Sequence, residues 1–206
     1  VKHWYRYHHV GGAEHPVPAL EDFLTFVSGE TERLNLLFFD MKNPNWDEDD
    51  HKRYEFYGAT LGIALQRHPK LPERLVVANA SKEVLKSLKK GLRQAGEERC
   101  EFAYDAAGGF GTLFGFKKNP LEVAREMKNT VVSVGTRFRS GDMEEIIEAA
   151  RDRDYNRDSR LTTVLHWTIN DPAPMYHSIV AGVNGIVTDR PEVLHGAMSR
   201  MGVVVR

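Results

Sequence analysis

This sequence of 206 residues contains a single cysteine, Cys100, and lacks any long hydrophobic run. One cysteine excludes a disulfide bond within the chain, which suits a reducing compartment without proving one. No stretch approaches the roughly 18 apolar residues that a membrane-spanning helix needs. The first residues do not resemble a signal peptide, and the absence of an initial methionine indicates a processed or truncated chain.

The sequence also lacks an excess of charge of either sign. Its 28 Lys and Arg residues and 29 Asp and Glu residues leave a formal net charge of -1, so composition shows no bias toward nucleic acid. The hydrophobic fraction of 41% is sufficient for the core of one globular domain. Because no linker, low-complexity tract or repeat divides the chain, we expect a single soluble domain over residues 1–206.

Short apolar runs alternate with helical patterns along the chain. The runs predict six strands, at residues 34–42, 74–79, 101–105, 130–134, 162–167 and 185–188. Helices between strands imply parallel pairing, in either an α/β barrel or a doubly wound sheet. In both folds the active site lies where strands end, which singles out Asp40, Lys42, Asn79, Asp105, Arg137, Trp167 and Asp189.

The most informative stretch is the apolar run that ends in Asp40 and Lys42. Side chains alternate along a strand, so this carboxylate and this amine are expected on the same face. Two charges at the end of a core strand are costly unless each has a partner. From these residues alone, a buried ion pair that closes the strand and a metal or phosphate site both stay open.

Two further motifs resemble a known family. Residues 167–170 (Trp-Thr-Ile-Asn), followed by residues 182–191 (Gly-Val-Asn-Gly-Ile-Val-Thr-Asp-Arg-Pro), are similar to the closing signature of the glycerophosphodiester phosphodiesterase superfamily. Residues 39–42 (Phe-Asp-Met-Lys) resemble the end of the third barrel strand in its sphingomyelinase D, or phospholipase D toxin, branch. The resemblance runs from about Tyr7 to Leu194. It implies a TIM-type (β/α)8 barrel, of which this chain carries about six βα units and lacks the first two strands.

The resemblance also implies a set of site residues. Asp40 would ligate Mg²⁺ or Ca²⁺, and Lys42 would contact a phosphate oxygen as a point charge. Trp167 would line the pocket against the alcohol or choline headgroup. His8, with His9 as the alternative, matches the second histidine of the family's catalytic pair, although such histidines also occur in surface metal-binding tracts or simply as exposed polar residues.

Other parts of the family's site are not found in this sequence. No first catalytic histidine and no Glu-x-Asp metal pair precede Asp40 in a suitable setting, so we expect the chain by itself to be inactive. Asn170 and Asp189 are expected to orient loops rather than to react.

The expected function is a metal-dependent phosphodiesterase that acts on a glycerophosphodiester or on a choline or ethanolamine phospholipid headgroup. In the sphingomyelinase D branch the substrate's own hydroxyl attacks and gives a cyclic phosphate, whereas in the other branch water attacks. The short connection between His8 and Asp40 favours the sphingomyelinase D branch, and the lack of the spider toxins' cysteines speaks against it.

The expected partner is therefore a small phosphodiester or phospholipid, with contact to a membrane surface but no membrane span and no nucleic acid. The alternative is a non-catalytic barrel remnant that serves as a binding or scaffold subunit, since two of the family's three metal ligands are missing.

Overall fold

The computed structural model describes residues 7–10, 13–16, 18–32, 34–41, 51–105, 119–135 and 142–203. Near its start, strands β1 (Tyr7–Val10) and β2 (Ala13–Pro16) form an antiparallel pair that stands apart from the main sheet. Within these ranges no helix has both the length and the apolar character that a bilayer crossing requires.

The main sheet contains six parallel strands whose spatial order is their order in the chain. They are β3 (Leu37–Asp40), β4 (Leu75–Asn79), β5 (Glu101–Asp105), β6 (Val131–Val134), β7 (Thr163–His166) and β8 (Gly185–Ile186). A doubly wound sheet reverses its strand order at a switch point, and this sheet does not. The strands curl into a half-barrel, which confirms the expected partial TIM-type α/β fold.

Seven helices are described, and the six from α2 onward follow or separate the strands of the main sheet. They are α1 (Leu20–Gly29), α2 (His51–Leu65), α3 (Lys82–Gln94), α4 (Pro120–Met127), α5 (Asp142–Tyr155), α6 (Pro172–Val180) and α7 (Pro191–Arg200). A short 3₁₀ helix over Pro72–Arg74 leads into β4. Ser81 begins α3, because its hydroxyl accepts a hydrogen bond from the Val84 N–H at 3.4 Å.

The helices cover the outer face of the sheet with apolar side chains. On one side, Val77 of β4 and Phe102 of β5 pack into the same buried cluster as Leu61 of α2 and Leu88 of α3. Helices α2 and α3 approach closely because glycines lie between them: a Cβ on Gly91 would lie 2.7 Å from the backbone nitrogen of Ala59 in α2. A second cluster joins β6 and β7 to α4 and α5.

The inner face of the half-barrel is a smaller apolar cluster, and it fixes which strand positions point inward. Its buried members are Val76, Ala78, Ala103, Val131 and Leu165, with Phe38 packed against them. Since side chains alternate along each strand, residues two positions further along also point inward. This rule places Asp40, Asp105, Ser133, Gly135 and Trp167 on the inner face.

All six predicted strands are present, but β3 starts at Leu37 rather than at residue 34. The Arg74 guanidinium donates to the backbone carbonyls of Thr31, at 2.5 Å, and Leu34. That contact holds residue 34 in the connection before the strand, so its apolar character reflects packing and not strand pairing. The β1–β2 pair and helix α7 have no counterpart among the predicted elements.

Candidate functional site

Polar and aromatic side chains collect on the inner face where the strands end. Asp40 closes β3 and is in register with Ala78 of β4, which in turn is in register with Ala103 of β5. The side chain of Asp40 is exposed, as expected at the mouth of a barrel. Its predicted partner on that face, Lys42, lies outside the described residues.

Trp167 follows β7 at the same end of the sheet. Its backbone N–H donates to the carbonyl of Val134 at 3.1 Å, so the pairing with β6 continues one residue beyond the end of β7. The structure therefore brings Asp40 and Trp167 to one end and one face of the half-barrel. Their strands are four places apart in the sheet, so this shared end does not mean that the two side chains are in contact.

Gly135 makes room for Trp167. A Cβ at position 135 would lie 2.7 Å from the carbonyl carbon and 3.0 Å from Cδ2 of Trp167, and closer still to its carbonyl oxygen. Contacts this short do not occur between real atoms, so only glycine fits here. This positioning residue was missed in the sequence, where a lone glycine after a strand carries no sign of what it faces.

The indole of Trp167 carries an unusual polar group. Its Nε1–H is buried and has no hydrogen-bond acceptor in the described part of the chain. Buried N–H groups nearly always find a partner, because an unmade hydrogen bond costs about 1–3 kcal/mol. Among the described residues, the Trp167 N–H is therefore a buried donor without an acceptor.

Asp105 is another acidic residue on the inner face. It is buried at the end of β5, and its carboxylate accepts a hydrogen bond from the Ser133 hydroxyl at 3.3 Å. Two strand spacings separate it from the strand of Asp40, which is about 10 Å between the strand axes. Asp40 and Asp105 thus face the same space from different strands.

Two side chains near the strand ends point outward instead and hold helices. Asn79, singled out by its place at a strand end, donates through Nδ2 to the carbonyl of Met41 and accepts through Oδ1 from the Ser81 N–H at 2.7 Å. His166 lies 2.7 Å through Nδ1 from the Ser178 hydroxyl of α6. Both side chains secure the surrounding connections and helices, which removes them from the candidate site.

The loops after β7 and β8 are joined through Asn170. Its Nδ2 donates to the carboxylate of Asp189 at 3.0 Å, and its Oδ1 accepts from the Asp189 N–H at 2.9 Å and the Thr188 hydroxyl at 3.0 Å. This arrangement agrees with the interpretation that Asn170 and Asp189 orient loops.

The predicted catalytic histidines lie in the β1–β2 pair, where His8 is opposite His15 and His9 is opposite Glu14. The structure describes only the backbone there. The choice between His8 and His9, and the role of either, therefore stays a prediction. The arginine singled out at residue 137 lies outside the described residues.

A divalent cation would need more ligands than the described residues of this face supply. A carboxylate such as Asp40 is the kind of oxygen ligand that Mg²⁺ and Ca²⁺ take. However, among the residues that the structure describes, no three His, Cys, Asp or Glu side chains are grouped so as to hold a metal ion. Metal binding by Asp40 therefore stays a prediction.

Comparison with known proteins gives matches in structure only. No family model matches the sequence, and no curated protein matches it. A structure from Silicibacter pomeroyi, described as a glycerophosphoryl diester phosphodiesterase, superimposes with a TM-score of 0.71 at 21% identity over 93% of this chain. A glycerophosphodiester phosphodiesterase from Parabacteroides distasonis gives a TM-score of 0.61 at 19% identity, again over 93%.

A third match is an Oleispira antarctica phosphodiesterase in complex with the product sn-glycerol-3-phosphate, with a TM-score of 0.56 at 16% identity over 89% of this chain. This chain shares their barrel fold. It spans 59%, 68% and 62% of the three structures, respectively. At such identities the likeness establishes the fold alone, and activity has to be argued from the site.

Proposed function

We propose that this chain forms the larger part of a phosphodiesterase of the glycerophosphodiester phosphodiesterase superfamily, with its substrate bound at the carboxyl end of the half-barrel. The observation that carries the proposal is the pair of groups on one inner face, the Asp40 carboxylate and the buried Trp167 N–H without an acceptor among the described residues. The fold shared with three phosphodiesterase structures supports it.

Each group has a task that suits an anionic diester. The Trp167 N–H donates to an oxygen of the substrate, and the face of the indole packs against its alcohol or headgroup, where a choline group adds cation–π attraction. Lys42 comes two residues after Asp40 in the sequence. It neutralises a phosphate oxygen as negative charge gathers there in the transition state. Asp40 would be one ligand of a divalent cation, and such a cation would stabilise the negative charge on the phosphate oxygens.

Proton transfer falls to a histidine pair, of which this chain supplies His8 or His9. One imidazole removes a proton from the attacking hydroxyl or water while the other protonates the leaving oxygen, and both tasks are possible near neutral pH. Attack by water gives a phosphomonoester. Attack by a hydroxyl of the substrate gives a cyclic phosphate, as in the sphingomyelinase D branch that residues 39–42 resemble.

The test is turnover by the complete product of the gene. Glycerophosphocholine, glycerophosphoethanolamine, lysophosphatidylcholine and sphingomyelin are each supplied, and ³¹P NMR follows the products, because phosphomonoesters and cyclic phosphates have distinct signals. We expect cleavage of at least one diester, loss of that activity with EDTA, and recovery when Mg²⁺ or Ca²⁺ is added.

Matched variants connect the activity to these residues. Asp40→Asn and Lys42→Ala are expected to lower kcat/KM about 100-fold or more, whereas the exposed residues changed in Asp22→Asn and Lys70→Ala serve as controls. Activity that survives EDTA and both site variants would contradict the site. No turnover of any diester, together with an upstream gene sequence that lacks a histidine and a Glu-x-Asp pair, would instead favour the scaffold alternative.

A further inference from the structure

A cavity lies at the opposite end of the half-barrel from the proposed diester site, near the amino end of β6. It has a volume of about 330 Å³, and Arg125, Lys128, Asn129, Ser159 and Arg160 contribute to its lining. Volumes of this size are typical of sites for small molecules. The proposed diester site uses none of these residues, so the cavity raises a separate question.

Asn129 is the residue that points to a ligand. Only 3% of its surface is exposed, yet both its Nδ2 and its Oδ1 lack a hydrogen-bond partner within the described residues. Its backbone N–H is already satisfied by the carbonyl of Ala124 at 2.9 Å, and this bond ends helix α4. The carboxamide itself therefore makes no hydrogen bond within the described fold, and burying it unpaired is costly.

Asn129 also lines a smaller neighbouring cavity of about 150 Å³, again together with Lys128. Asn129 thus stands at the boundary of two adjacent cavities. An amide offers a donor and an acceptor side by side. A ligand that satisfies it needs both an oxygen that accepts and a hydroxyl that donates.

The charges around the larger cavity select an anion. Arg125, Lys128 and Arg160 stand against one carboxylate, Asp158. Lys128 and Arg160 make no ion pair with any described residue, and both residues are exposed. The Arg125 guanidinium forms an ion pair with Asp152, with Nη2 at 2.5 Å from Oδ1. Lys128 and Arg160 therefore provide most of the uncompensated positive charge.

The backbone at Lys128 helps to hold this arrangement. Lys128 is the only described non-glycine residue with a positive φ, of 56°, and it closes helix α4 in the left-handed conformation. Asn129 is the next residue, so Lys128 and Asn129 line the cavity from adjacent positions of one tight turn.

We propose that this cavity binds a small phosphomonoester, or inorganic phosphate, at a site separate from the diester site. Arg160 and Lys128 bind the phosphate oxygens, Arg and Lys being the usual partners of that group. Asn129 donates through Nδ2 to a phosphate oxygen and accepts through Oδ1 from a hydroxyl of the ligand. The site does not depend on the proposed function, since its residues lie at the other end of the strands.

Binding is tested by calorimetry with inorganic phosphate and with glycerol 3-phosphate, at an ionic strength held constant with NaCl. We expect Arg160→Gln and Lys128→Asn to weaken the Kd about tenfold each; asparagine tolerates the left-handed backbone at position 128. Arg157→Gln is the matched control, because Arg157 is an exposed arginine three residues before Arg160 that does not line the cavity. It is expected to change the Kd less than twofold.

Asn129→Leu separates a binding role from a structural one. Leucine has nearly the same shape and removes the unpaired amide, so the Tm without ligand should stay the same or rise. The rise in Tm that phosphate gives to the parent protein should disappear. A lower Tm with the phosphate effect retained would overturn the proposal.

Two other results would also overturn it. Equal weakening by Arg157→Gln and Arg160→Gln would mean that phosphate acts only through general charge screening. Affinity that is lost in Lys42→Ala but kept in Arg160→Gln and Lys128→Asn would place the phosphate at the diester site instead. Either result leaves the question of diester turnover untouched, so the two proposals fail independently.

Discussion

Gly135 and Trp167 lie against each other at the carboxyl ends of adjacent strands, with no space between them for a side chain at position 135. A Cβ there would lie 2.7 Å from the carbonyl carbon of Trp167 and 3.0 Å from its indole Cδ2. The position of the indole, and with it the direction of its buried N–H, therefore depends on the absence of a single methyl group.

Gly135→Ala is accordingly expected to lower the free energy of unfolding by about 1–3 kcal/mol, because the methyl group forces strand β7 or the indole away. Urea unfolding measures the loss, and tryptophan emission reports the displaced indole. Gly196→Ala is the control: this glycine lies within helix α7 with nothing within 4 Å of a Cβ. That change should stabilise the protein by about 0.5–1 kcal/mol. Equal effects of the two substitutions would contradict the close contact.

The surroundings of Asp152 are expected to make the free energy of unfolding depend on pH. Asp152 is 5% exposed and accepts hydrogen bonds from Arg125 at 2.5 Å, Ser159 at 2.6 Å and Asn156 at 2.7 Å. Burial on its own raises the pKa of this carboxyl, but the hydrogen bonds and the guanidinium charge together outweigh burial and lower the pKa. The ionised form is thus favoured in the folded state.

Because the folded pKa lies below the unfolded value of about 3.9, Asp152 contributes stability above that pH and loses it as the pH falls through the folded pKa. Asp152→Asn should lower the free energy of unfolding by about 1–3 kcal/mol at pH 7, and the difference should shrink below about pH 4. Urea unfolding from pH 7 to pH 3 measures this. Asp158→Asn, at an exposed carboxylate nearby, should show neither effect, and a deficit that is constant with pH would refute the argument.

Cys100 is expected to be unreactive in the folded protein. The thiol is 6% exposed, and burial raises its pKa to about 12. Since only the thiolate reacts, alkylation by iodoacetamide at pH 8 should be about 100-fold slower, or more, in the native protein than in urea. Mass spectrometry gives an unambiguous answer because the chain has one cysteine. Comparable rates in the two states would show that position 100 is open to solvent.

The strands of this fold were predictable because each one is a short apolar run between helical patterns. Val131–Val134 and Glu101–Asp105 agree with the prediction within a residue at each end. The strand order was not determined by periodicity, which left a barrel and a doubly wound sheet open. Helix α7 was missed because Pro191, at its first position, follows a strand-like segment and the helix has only one fully buried residue, Ala197.

The candidate site, too, was only partly predictable from the sequence. Asp40 and Trp167 stand where strands end, so counting strands was sufficient to place both at one end of the sheet. Asn79 stands at an equivalent place in the sequence but faces outward, since its parity along β4 differs by one from that of the inward-facing Ala78. Neither Gly135 nor Asn129 could be identified from the sequence, because a close contact and an unpaired buried amide are visible only in the folded structure.

The most direct test of the central claim follows the indole N–H of Trp167 by ¹H–¹⁵N NMR while glycerophosphocholine is added. The sequence has three tryptophans, so Trp167→Phe assigns the signal by its disappearance. If the inner face at the carboxyl end binds the diester, this signal moves downfield as the N–H finds an acceptor, and it does not move with glycerol or choline chloride alone. A diester that is bound or cleaved while the Trp167 signal stays in place would contradict the account.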